Sequence, residues 1–537
     1  MPTKNEYKWI IKVSIIILLL TTIPYFIGFM RQGESWYFTG FVFGVEDGNS
    51  YIAKMNSGAS GDWLFKTPYS AYQQKGVLAF LPYLLLGKIS SMPGQHEQLI
   101  ALFHGFRWFA GLLMIFATYQ FISIFIEDVK FRRIGTFLST VGGGLGWVSI
   151  IGFKHLWQNR IPLEFYSPES FGFLSLYGLP HLALARALLL LGLIKYINND
   201  KEYILQAVIG GVVWLILGLF QPIYIVVGWV VIIVHTIIEY FPFLLKKQHL
   251  RQNERNQHYL PKMFIMISIS SPFVIYTLFS FLSDQYLSGW VAQNIISSPP
   301  MFDFILAYGI FLPFTFISSI RIFNLNISKY KLLVGWLTIS PVLAYAPVYV
   351  QRRLLEAIWI VIIILFLNYF IGFGKKNSWY LLVIISSSLI NPVIIICGGI
   401  ISIWNPSTPL YRHIDEIRAI KFLSDISSPY DVILSGYESS NVIPAWVPLR
   451  TLIGHGPESV NLEELSSAVN NYYKLEGNDE ERNKLIEEFN IKYVFFGPLE
   501  KNIGNYLEIT TQDDISLIYK QSGYSIYETI DREKRFE

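Results

Sequence analysis

"VSIIILLLTTIPYFIGF" (Val13–Phe29) forms most of the first apolar segment of the chain and indicates what class of protein it is. Lys4, Lys8 and Lys12 flank it on the N-terminal side, as basic residues flank the apolar region of a signal peptide. The apolar run is longer than such a region, and no clear small-residue cleavage site follows it. The segment therefore predicts a retained membrane anchor whose N-terminus is cytoplasmic.

The rest of the chain has the composition of a multi-pass membrane protein. Of its 537 residues, 52% are hydrophobic and only 15% are charged, whereas soluble domains carry about 25% charged residues. Many apolar runs reach the ~20 residues that a helix needs to cross a bilayer. They predict eleven transmembrane helices, near residues 9–30, 98–126, 131–153, 178–198, 203–220, 222–245, 262–283, 301–323, 331–350, 352–372 and 379–403.

The distribution of lysine and arginine predicts the topology, because these residues concentrate in cytoplasmic loops. One further segment, "GVLAFLPYLLLGKISS" (76–91), is short and contains Pro82, which is typical of interfacial or re-entrant segments. If it does not cross, 18 basic residues lie inside and 9 outside; if it crosses, the numbers become 8 and 19. The eleven-span topology is therefore predicted, with the C-terminal region on the outer face of the cell (inner) membrane.

From about residue 410 the composition changes to that of a small soluble domain. "DVILSG" (431–436) and "IKYVFFG" (491–497) predict buried strands that end at glycine, and helical segments and a terminal hairpin accompany them. Strands that alternate with helices are typical of an α/β domain with a partly parallel sheet. We therefore predict a transmembrane domain over residues 1–405, with an outer loop at 31–97, and a soluble domain over 406–537.

Polar residues within the predicted spans gather in the outer half of the membrane. Ionisable side chains there are costly and usually mark function. His104 and Arg107 lie three residues apart and so share one helix face. The other members of the set are His181, Arg186, Gln351, Arg352 and Arg353. Such a cationic cluster suits a phosphate group, because the planar guanidinium of arginine can bind it with two hydrogen bonds.

Several of these residues also have a structural interpretation. Arg352 and Arg353 could pair with Glu356 at i+4 and i+3, or extend to lipid head groups. His104 could be a packing residue, and His181 could solvate the rim of its helix. The glycines of "VGGGLGW" (141–147) are typical of close helix packing.

The segment "FGVEDGNSY" (Phe43–Tyr51) places two adjacent carboxylates, Glu46 and Asp47, in the predicted outer loop. A carboxylate that faces a phosphate site can take a proton from an acceptor hydroxyl. The same letters, "EDGNS", also form a good turn sequence, which would give Asp47 a purely structural role.

The chain resembles a known family, the GT-C superfamily of membrane glycosyltransferases. Within that superfamily it resembles uncharacterised bacterial members. That superfamily includes protein O-mannosyltransferases, aminoarabinose transferases and oligosaccharyltransferases, with an acidic residue near the start of a large outer loop. The shared elements span most of the chain: "DGNSYIAKM" (47–55), "GDWLF" (61–65), "GGLGW" (143–147), "PH" (180–181), "QRR" (351–353) and "GHGPES" (454–459).

The resemblance implies transfer of a sugar from a polyprenyl-phosphate-linked donor to a hydroxyl of a glycan, lipid or protein, with inversion. Asp47 would be the base in preference to Glu46, and the cationic set would bind the donor phosphate. The sequence requires no cofactor, and it leaves open a divalent metal ion at Glu46 and Asp47. The C-terminal domain would bind the acceptor or cover the site. Within it, "GHGPES" follows a predicted strand, where ligand loops often lie, or forms a plain glycine turn and helix cap.

Two other classes of protein remain as alternatives. A transporter or flippase of lipid-linked saccharides would also need outer cationic residues, although it usually has repeated halves and polar sites at the midplane. A non-catalytic membrane assembly protein would use the outer loop and C-terminal domain only for binding. No basic cluster is interleaved with aromatic residues, which argues against a nucleic-acid partner, and Cys397, as the single cysteine, excludes an internal disulfide.

Overall fold

The computed structural model describes residues 2–198, 202–246, 258–373, 378–474, 478–505, 507 and 515–529. Within these ranges the chain is mainly helical up to residue 404 and mixed α/β beyond it. The helices of the first part are α1 (Lys4–Arg31), α2 (Val45–Ala59), α3 (Leu81–Gly87), α4 (Gln95–Phe125), α5 (Val129–Thr140), α6 (Gly172–Gly178), α7 (Pro180–Ile197), α8 (Tyr203–Gly218), α9 (Pro222–Lys246), α10 (Tyr259–Ser283), α11 (Gln285–Gln293), α12 (Met301–Tyr308), α13 (Phe311–Asn324), α14 (Ser328–Ala344), α15 (Ile358–Phe373), α16 (Ser378–Ser388) and α17 (Ile390–Trp404).

Among the described residues, seven helical segments are long and apolar enough to cross a membrane, or eight if a bent pair counts as one span. They are Lys4–Arg31, Gln95–Phe125, Pro180–Ile197, Pro222–Tyr240, Tyr259–Ser283, Gln351–Gly372 and Trp379–Trp404, with Met301–Tyr308 and Phe311–Asn324 as the bent pair. The prediction of a helical multi-pass membrane protein is therefore confirmed.

The predicted count of eleven spans is not confirmed, and four segments account for the difference. The span predicted at 131–153 is the helix α5, which ends at Thr140, before the glycines of "VGGGLGW". The helices α8 and α14 have 16 and 17 residues, fewer than the ~20 that span a bilayer without local thinning. The span predicted at 301–323 bends by 88° between α12 and α13.

By its internal contacts the chain divides into two compact units. The first comprises Met1–Ile23, Phe106–Phe279 and Ile296–Gly399, and the second comprises Pro24–Gly105, Ser280–Ile295 and Ile400–Glu537. The predicted boundary between residues 405 and 406 refers to the membrane rather than to contacts, and it stays a prediction.

The second unit contains the α/β domain that the C-terminal sequence predicts. Its helices are α18 (Ile414–Ile426), α19 (Tyr437–Trp446), α20 (Leu462–Tyr473), α21 (Asp479–Phe489) and α22 (Pro498–Ile503). Its strands are β3 (Val432–Leu434), β4 (Arg450–Thr451), β5 (Ile491–Phe496), β6 (Ile515–Gln521) and β7 (Tyr524–Thr529), in the order β4-β3-β5-β7-β6. The strands β4, β3 and β5 are parallel, and β7 is antiparallel to β5 and β6. Apolar residues cover both faces of this sheet, so the prediction of a partly parallel sheet is confirmed.

Two contacts join the outer-loop residues to this domain within the second unit. The strand β1 (Trp36–Phe38) pairs antiparallel with β2 (Tyr411–His413). Further along, α2 packs against both α19 and α3. The helix α3, which lies in the doubtful segment 76–91, has only seven residues and is too short to cross a bilayer.

The approach of α2 to α3 depends on two glycines. A Cβ atom on Gly58 would lie 2.1 Å from the carbonyl oxygen of Leu84, and one on Gly87 would lie 1.8 Å from that of Met55. Because no side chain fits at these distances, the two glycines let the backbones touch and fix the position of α2 within the second unit.

Candidate functional site

The segment "FGVEDGNSY" is the start of a buried helix and not a turn. Gly44 precedes the helix with φ 60°, a left-handed conformation that suits glycine, and α2 begins at Val45. Gly48 gives room for the ring of Phe41, which would lie 2.3 Å from an added Cβ. The alternative interpretation of "EDGNS" as a turn is therefore wrong, and Glu46 and Asp47 lie in the first helical turn.

One face of α2 carries Asp47, Ser50 and Lys54, whose spacings of three and four residues place them in line. Within the second unit, this face meets "GHGPES" (Gly454–Ser459), which we call the GHGPES segment. Lys54, only 1% exposed, forms an ion pair with the 4% exposed carboxylate of Glu458, with Nζ 2.6 Å from Oε1. Burial of both charges makes this contact costly unless further hydrogen bonds complete it.

Hydrogen bonds from three segments of the chain complete the coordination of Glu458. Its Oε1 accepts from Ser50 at 2.8 Å, and its Oε2 accepts from Thr67 at 2.8 Å. Its backbone carbonyl accepts from the hydroxyl of Tyr286 at 2.8 Å. Burial favours the neutral acid, but Lys54, His455 and the hydrogen bonds outweigh it and hold the pKa of Glu458 below its usual range.

His455 lies between the two carboxylates. Its Nε2 is 3.1 Å from Oδ1 of Asp47, and its Nδ1 is 3.4 Å from Oε1 of Glu458. The histidine side chain is 11% exposed, whereas that of Asp47 is 52% exposed. The row Asp47–His455–Glu458–Lys54 therefore runs from a half-exposed carboxylate to a fully buried ion pair.

Glu46 and the backbone around it contact α19 in the same unit. The hydroxyl of Tyr437 donates to Oε2 of Glu46 at 3.3 Å and accepts from the backbone N–H of Gly456 at 2.9 Å. Burial, followed by the charge of Glu46, raises the pKa of Tyr437 to about 12. Asn441 accepts from Asn49 at 2.7 Å and donates to the carbonyl of Gly454 at 2.7 Å, so α2, α19 and the GHGPES segment form one hydrogen-bonded network.

Sequence reasoning did not select Lys54, His455 or Glu458. "DGNSYIAKM" and "GHGPES" both stood out as motifs, but 404 residues separate Lys54 from Glu458. The detectable signal was the lysine on the same helix face as Asp47, in a helix whose residues Gly48–Gly58 are all buried.

The first unit contains most of the predicted cationic set, and Arg186 is one of its buried members. Its guanidinium forms an ion pair with Glu356 and donates to the backbone carbonyls of Pro168 and Glu169 at 2.6 and 2.7 Å. Arg107 is also buried, and it donates to Thr21 and Thr22 and to the carbonyl of Leu176. Both arginines therefore have the partners that their depth requires.

The alternative pairing of Arg352 and Arg353 with Glu356 is wrong. That pairing needs a continuous α-helix, but Gln351–Leu355 is a 3₁₀ helix, Glu356 is extended, and α15 begins only at Ile358. Arg352 instead lies 3.4 Å from the carboxylate of Glu169 and 4.7 Å from the ring centre of Tyr166. Arg352 and Arg353 are half-buried, and Gln351 accepts from the backbone N–H of Ser298 at 3.2 Å.

The two candidate histidines lie in different units. His181 is the half-buried second residue of α7 in the first unit. His104 lies in the second unit, where its Nε2 is 3.1 Å from the carbonyl oxygen of Gly40 and its ring packs edge-on against Tyr25. The assignment of both histidines, and of the four arginines and Gln351, to a phosphate site stays a prediction.

The first unit also contains a buried carboxyl group that the sequence analysis did not select. Glu164 accepts a hydrogen bond from the backbone N–H of Gly146 at 2.6 Å, and an added Cβ on Gly144 or Gly146 would lie within 3 Å of it. The glycines of "GGLGW" therefore make room for this carboxyl group. Burial raises the pKa of Glu164 to about 8, although backbone N–H groups oppose the shift.

The fold is similar to that of solved membrane glycosyltransferases. The oligosaccharyltransferase of Archaeoglobus fulgidus, crystallised with a tethered acceptor peptide, aligns with a TM-score of 0.53 and 12% identity over 98% of this chain and 74% of that chain. AglB from Archaeoglobus fulgidus, an archaeal oligosaccharyltransferase in complex with an inhibitory peptide and a dolichol-phosphate, aligns with a TM-score of 0.52 and 13% identity. The alignment covers 92% of this chain and 70% of that chain. ArnT from Cupriavidus metallidurans bound to undecaprenyl phosphate aligns with a TM-score of 0.50 and 10% identity. The alignment covers 96% of this chain and 98% of that chain.

These similarities establish the fold. AglB and ArnT are GT-C glycosyltransferases, and the predicted fold, a polytopic helical membrane protein with a C-terminal α/β domain, is confirmed. No family model matches the chain, and no curated protein matches its sequence.

A divalent metal ion at Glu46 and Asp47 stays a prediction. In the part of the chain that the structure describes, no group of three or more His, Cys, Asp or Glu side chains has the arrangement of a metal site.

We expect Lys54→Met to lower the free energy of unfolding by about 3–5 kcal/mol, because it leaves the charge of Glu458 buried without its cation. The double variant Lys54→Met/Glu458→Leu should recover most of that loss, since it removes both charges. Thermal unfolding of the purified protein in detergent measures both effects. A single variant as stable as the wild type would contradict the buried ion pair.

Glu164 gives a prediction about pH. The folded protein keeps the proton of Glu164 up to about pH 8, whereas the unfolded chain loses it near the ordinary value of 4.5. Stability should therefore fall as the pH rises through that window. Glu164→Gln, which cannot titrate, should become progressively more stable than the wild type between pH 5 and pH 8. Parallel unfolding midpoints across this range would exclude a buried neutral acid.

Proposed function

We propose that the protein is a membrane glycosyltransferase that moves a sugar from a polyprenyl-phosphate-linked donor to an acceptor hydroxyl. The fold supports this proposal, since the solved neighbours include glycosyltransferases captured with undecaprenyl phosphate and dolichol-phosphate. We further propose that the reaction takes place at the outer face of the cell membrane, where the charge distribution of the loops puts the C-terminal domain.

One observation carries the assignment of the base. Asp47 stays half-exposed at the start of α2, although the residues that follow it, Gly48–Gly58, are buried. His455 contacts one oxygen of this carboxylate, and a half-exposed carboxylate can receive a proton from a bound hydroxyl. Glu46, which contacts Tyr437, is the second candidate.

In the proposed reaction the acceptor oxygen forms a bond to the anomeric carbon of the donor sugar. Its proton passes to the carboxylate of Asp47. The bond between the anomeric carbon and the phosphate oxygen breaks, and the polyprenyl phosphate leaves with the electron pair. A single displacement of this kind inverts the anomeric configuration.

The cationic residues of the first unit are proposed to stabilise the phosphate as its charge increases. Arg352 and Arg353 are the first candidates, because they are half-buried and so are not fully enclosed by the protein. Arg107 and Arg186 are enclosed by internal partners, and we assign them a supporting role. His104, His181 and Gln351 are secondary candidates.

The acceptor is proposed only by class. The Archaeoglobus fulgidus enzyme was crystallised with an acceptor peptide, but a hydroxyl on a glycan, a lipid or a protein would satisfy the same chemistry here. The proposed partners are therefore a lipid-linked sugar, the bilayer and one hydroxyl-bearing acceptor.

Asp47→Asn should reduce sugar transfer by about 10²–10⁴-fold, because an amide cannot take the acceptor proton. The assay supplies purified protein with a panel of radiolabelled undecaprenyl-phosphate hexoses and with a membrane extract as the source of acceptors. Asp425→Asn, at an exposed aspartate of α18, is the matched control and should keep full activity.

Three results would contradict this assignment. An undiminished rate in folded Asp47→Asn would exclude Asp47 as the base, and a loss confined to Glu46→Gln would transfer the role to Glu46. Movement of labelled lipid across liposome membranes without any transfer of sugar would favour a flippase instead.

A further inference from the structure

We propose that His455, supplied by the C-terminal GHGPES segment, is the positioning residue of Asp47 and that the buried pair of Lys54 and Glu458 fixes it in place. The inference rests on the function proposed above. It gives the C-terminal domain a part in the reaction itself, in addition to any role in binding the acceptor.

The first support is the geometry of the contact. His455 Nε2 lies 3.1 Å from Oδ1 of Asp47, which is a hydrogen-bond distance for a ring N–H and a carboxylate. A half-exposed carboxylate has several staggered rotamers open to it, and a hydrogen bond from a fixed partner favours one of them. The hydrogen bond at Oδ1 fixes the orientation of the carboxylate, which a proton acceptor needs.

The second support is that the imidazole ring of His455 is itself held from several sides. Its Nδ1 faces the Glu458 carboxylate at 3.4 Å, and its ring lies 5.6 Å from that of the buried Tyr69. The backbone N–H of His455 donates to the hydroxyl of Ser459 at 3.2 Å. Tyr69 is anchored in turn, because its hydroxyl donates to the carbonyl of Asn441 at 3.0 Å.

The third support is the buried ion pair of Lys54 and Glu458, whose carboxylate faces the ring of His455. A buried Lys–Glu pair contributes little net stability compared with apolar residues, but it can enforce one arrangement of its surroundings. Here Lys54 lies two turns beyond Asp47 on the same helix, and Glu458 lies three residues beyond His455. The pair therefore fixes the register between the two segments whose side chains meet at Asp47.

The backbone of the GHGPES segment fits this role. Gly454 has φ 141°, and an added Cβ would lie 2.7 Å from the carbonyl carbon of Ser440. The segment thus lies directly against α19, and its first residue must be glycine. A plain glycine turn does not explain why His455 contacts the carboxylate of Asp47 or why the carboxylate of Glu458 pairs with Lys54.

Several charged or titratable groups face this site from the elements packed around it. Glu46 and Lys54 come from α2, Tyr69 from the segment that follows it, Tyr437 from α19, and His455 and Glu458 from the GHGPES segment. Of these, His455 contacts the carboxylate of Asp47 at hydrogen-bond distance. Its loss should therefore make Asp47 easier to protonate.

The kinetic experiment compares the full-length wild type with His455→Ala and His455→Gln in the transfer assay above. His455→Ala should lower kcat by about 10–100-fold through misplacement of the base, with KM changed by less than about threefold. The acid limb of its pH–rate profile should move to higher pH, because the carboxylate loses a hydrogen-bond donor. His455→Gln, whose amide N–H reaches a similar position, should recover most of kcat.

A second measurement does not depend on turnover. A water-soluble carbodiimide modifies protonated carboxyl groups, and peptide mass spectrometry can follow the labelling of half-exposed Asp47 against pH. Labelling should extend to higher pH in His455→Ala than in the wild type or His455→Gln. His413→Ala, which removes another histidine–aspartate contact of the second unit, with Nδ1 3.5 Å from Asp415, should leave the labelling of Asp47 unchanged.

The outcomes separate the two proposals. Wild-type kcat, pH limb and labelling in His455→Ala would overturn the positioning role, and so would a His455→Gln variant no better than the alanine variant. If Asp47→Asn keeps full transfer while His455→Ala shifts the labelling of Asp47, the contact is real but the proposed base is wrong. Thermal unfolding of each variant shows that the comparison concerns folded protein.

Discussion

The buried ion pair of Lys54 and Glu458 is the interaction on which the proposed site depends. It joins a helix near the start of the chain to a loop near its end, and hydrogen bonds from Ser50 and Thr67 complete it. Two charges removed from water must be satisfied in full, so both segments can approach in only one register. That register brings His455 to Asp47. In this way the pair that fixes the register also fixes the surroundings of the proposed base.

In the first unit, the buried charges of the membrane-spanning helices also need internal partners. Arg186 satisfies Glu356 and two backbone carbonyls, and Arg107 satisfies two threonine hydroxyls and a carbonyl. Buried guanidinium groups with complete internal partners hold helices together. Cations with incomplete partners are the ones suited to a passing phosphate, and this is why we place Arg352 and Arg353 first among the proposed phosphate ligands.

Apolar periodicity and glycine-closed strands predicted the helical membrane protein, the strands near 431–436 and 491–497, and the α/β domain, because these features are local in sequence. The span count was not predictable at the same level, since "VGGGLGW" ends α5 and α12 and α13 bend apart. The ion pairs between distant residues were also not predictable from the sequence. Glu356 seemed to belong to Arg352 and Arg353, but 170 residues separate it from its true partner, Arg186. Lys54 and Glu458 were not selected from the sequence, because only the fold brings them together.

The central claim is a single displacement at the anomeric carbon, with Asp47 as the base. The anomeric configuration of the product, determined by NMR against that of the undecaprenyl-phosphate donor, tests this claim most directly. The account predicts complete inversion in the product of the wild-type protein. A product that retains the configuration of the donor would contradict it, because retention requires a covalent glycosyl intermediate or a second displacement that the proposed mechanism does not contain.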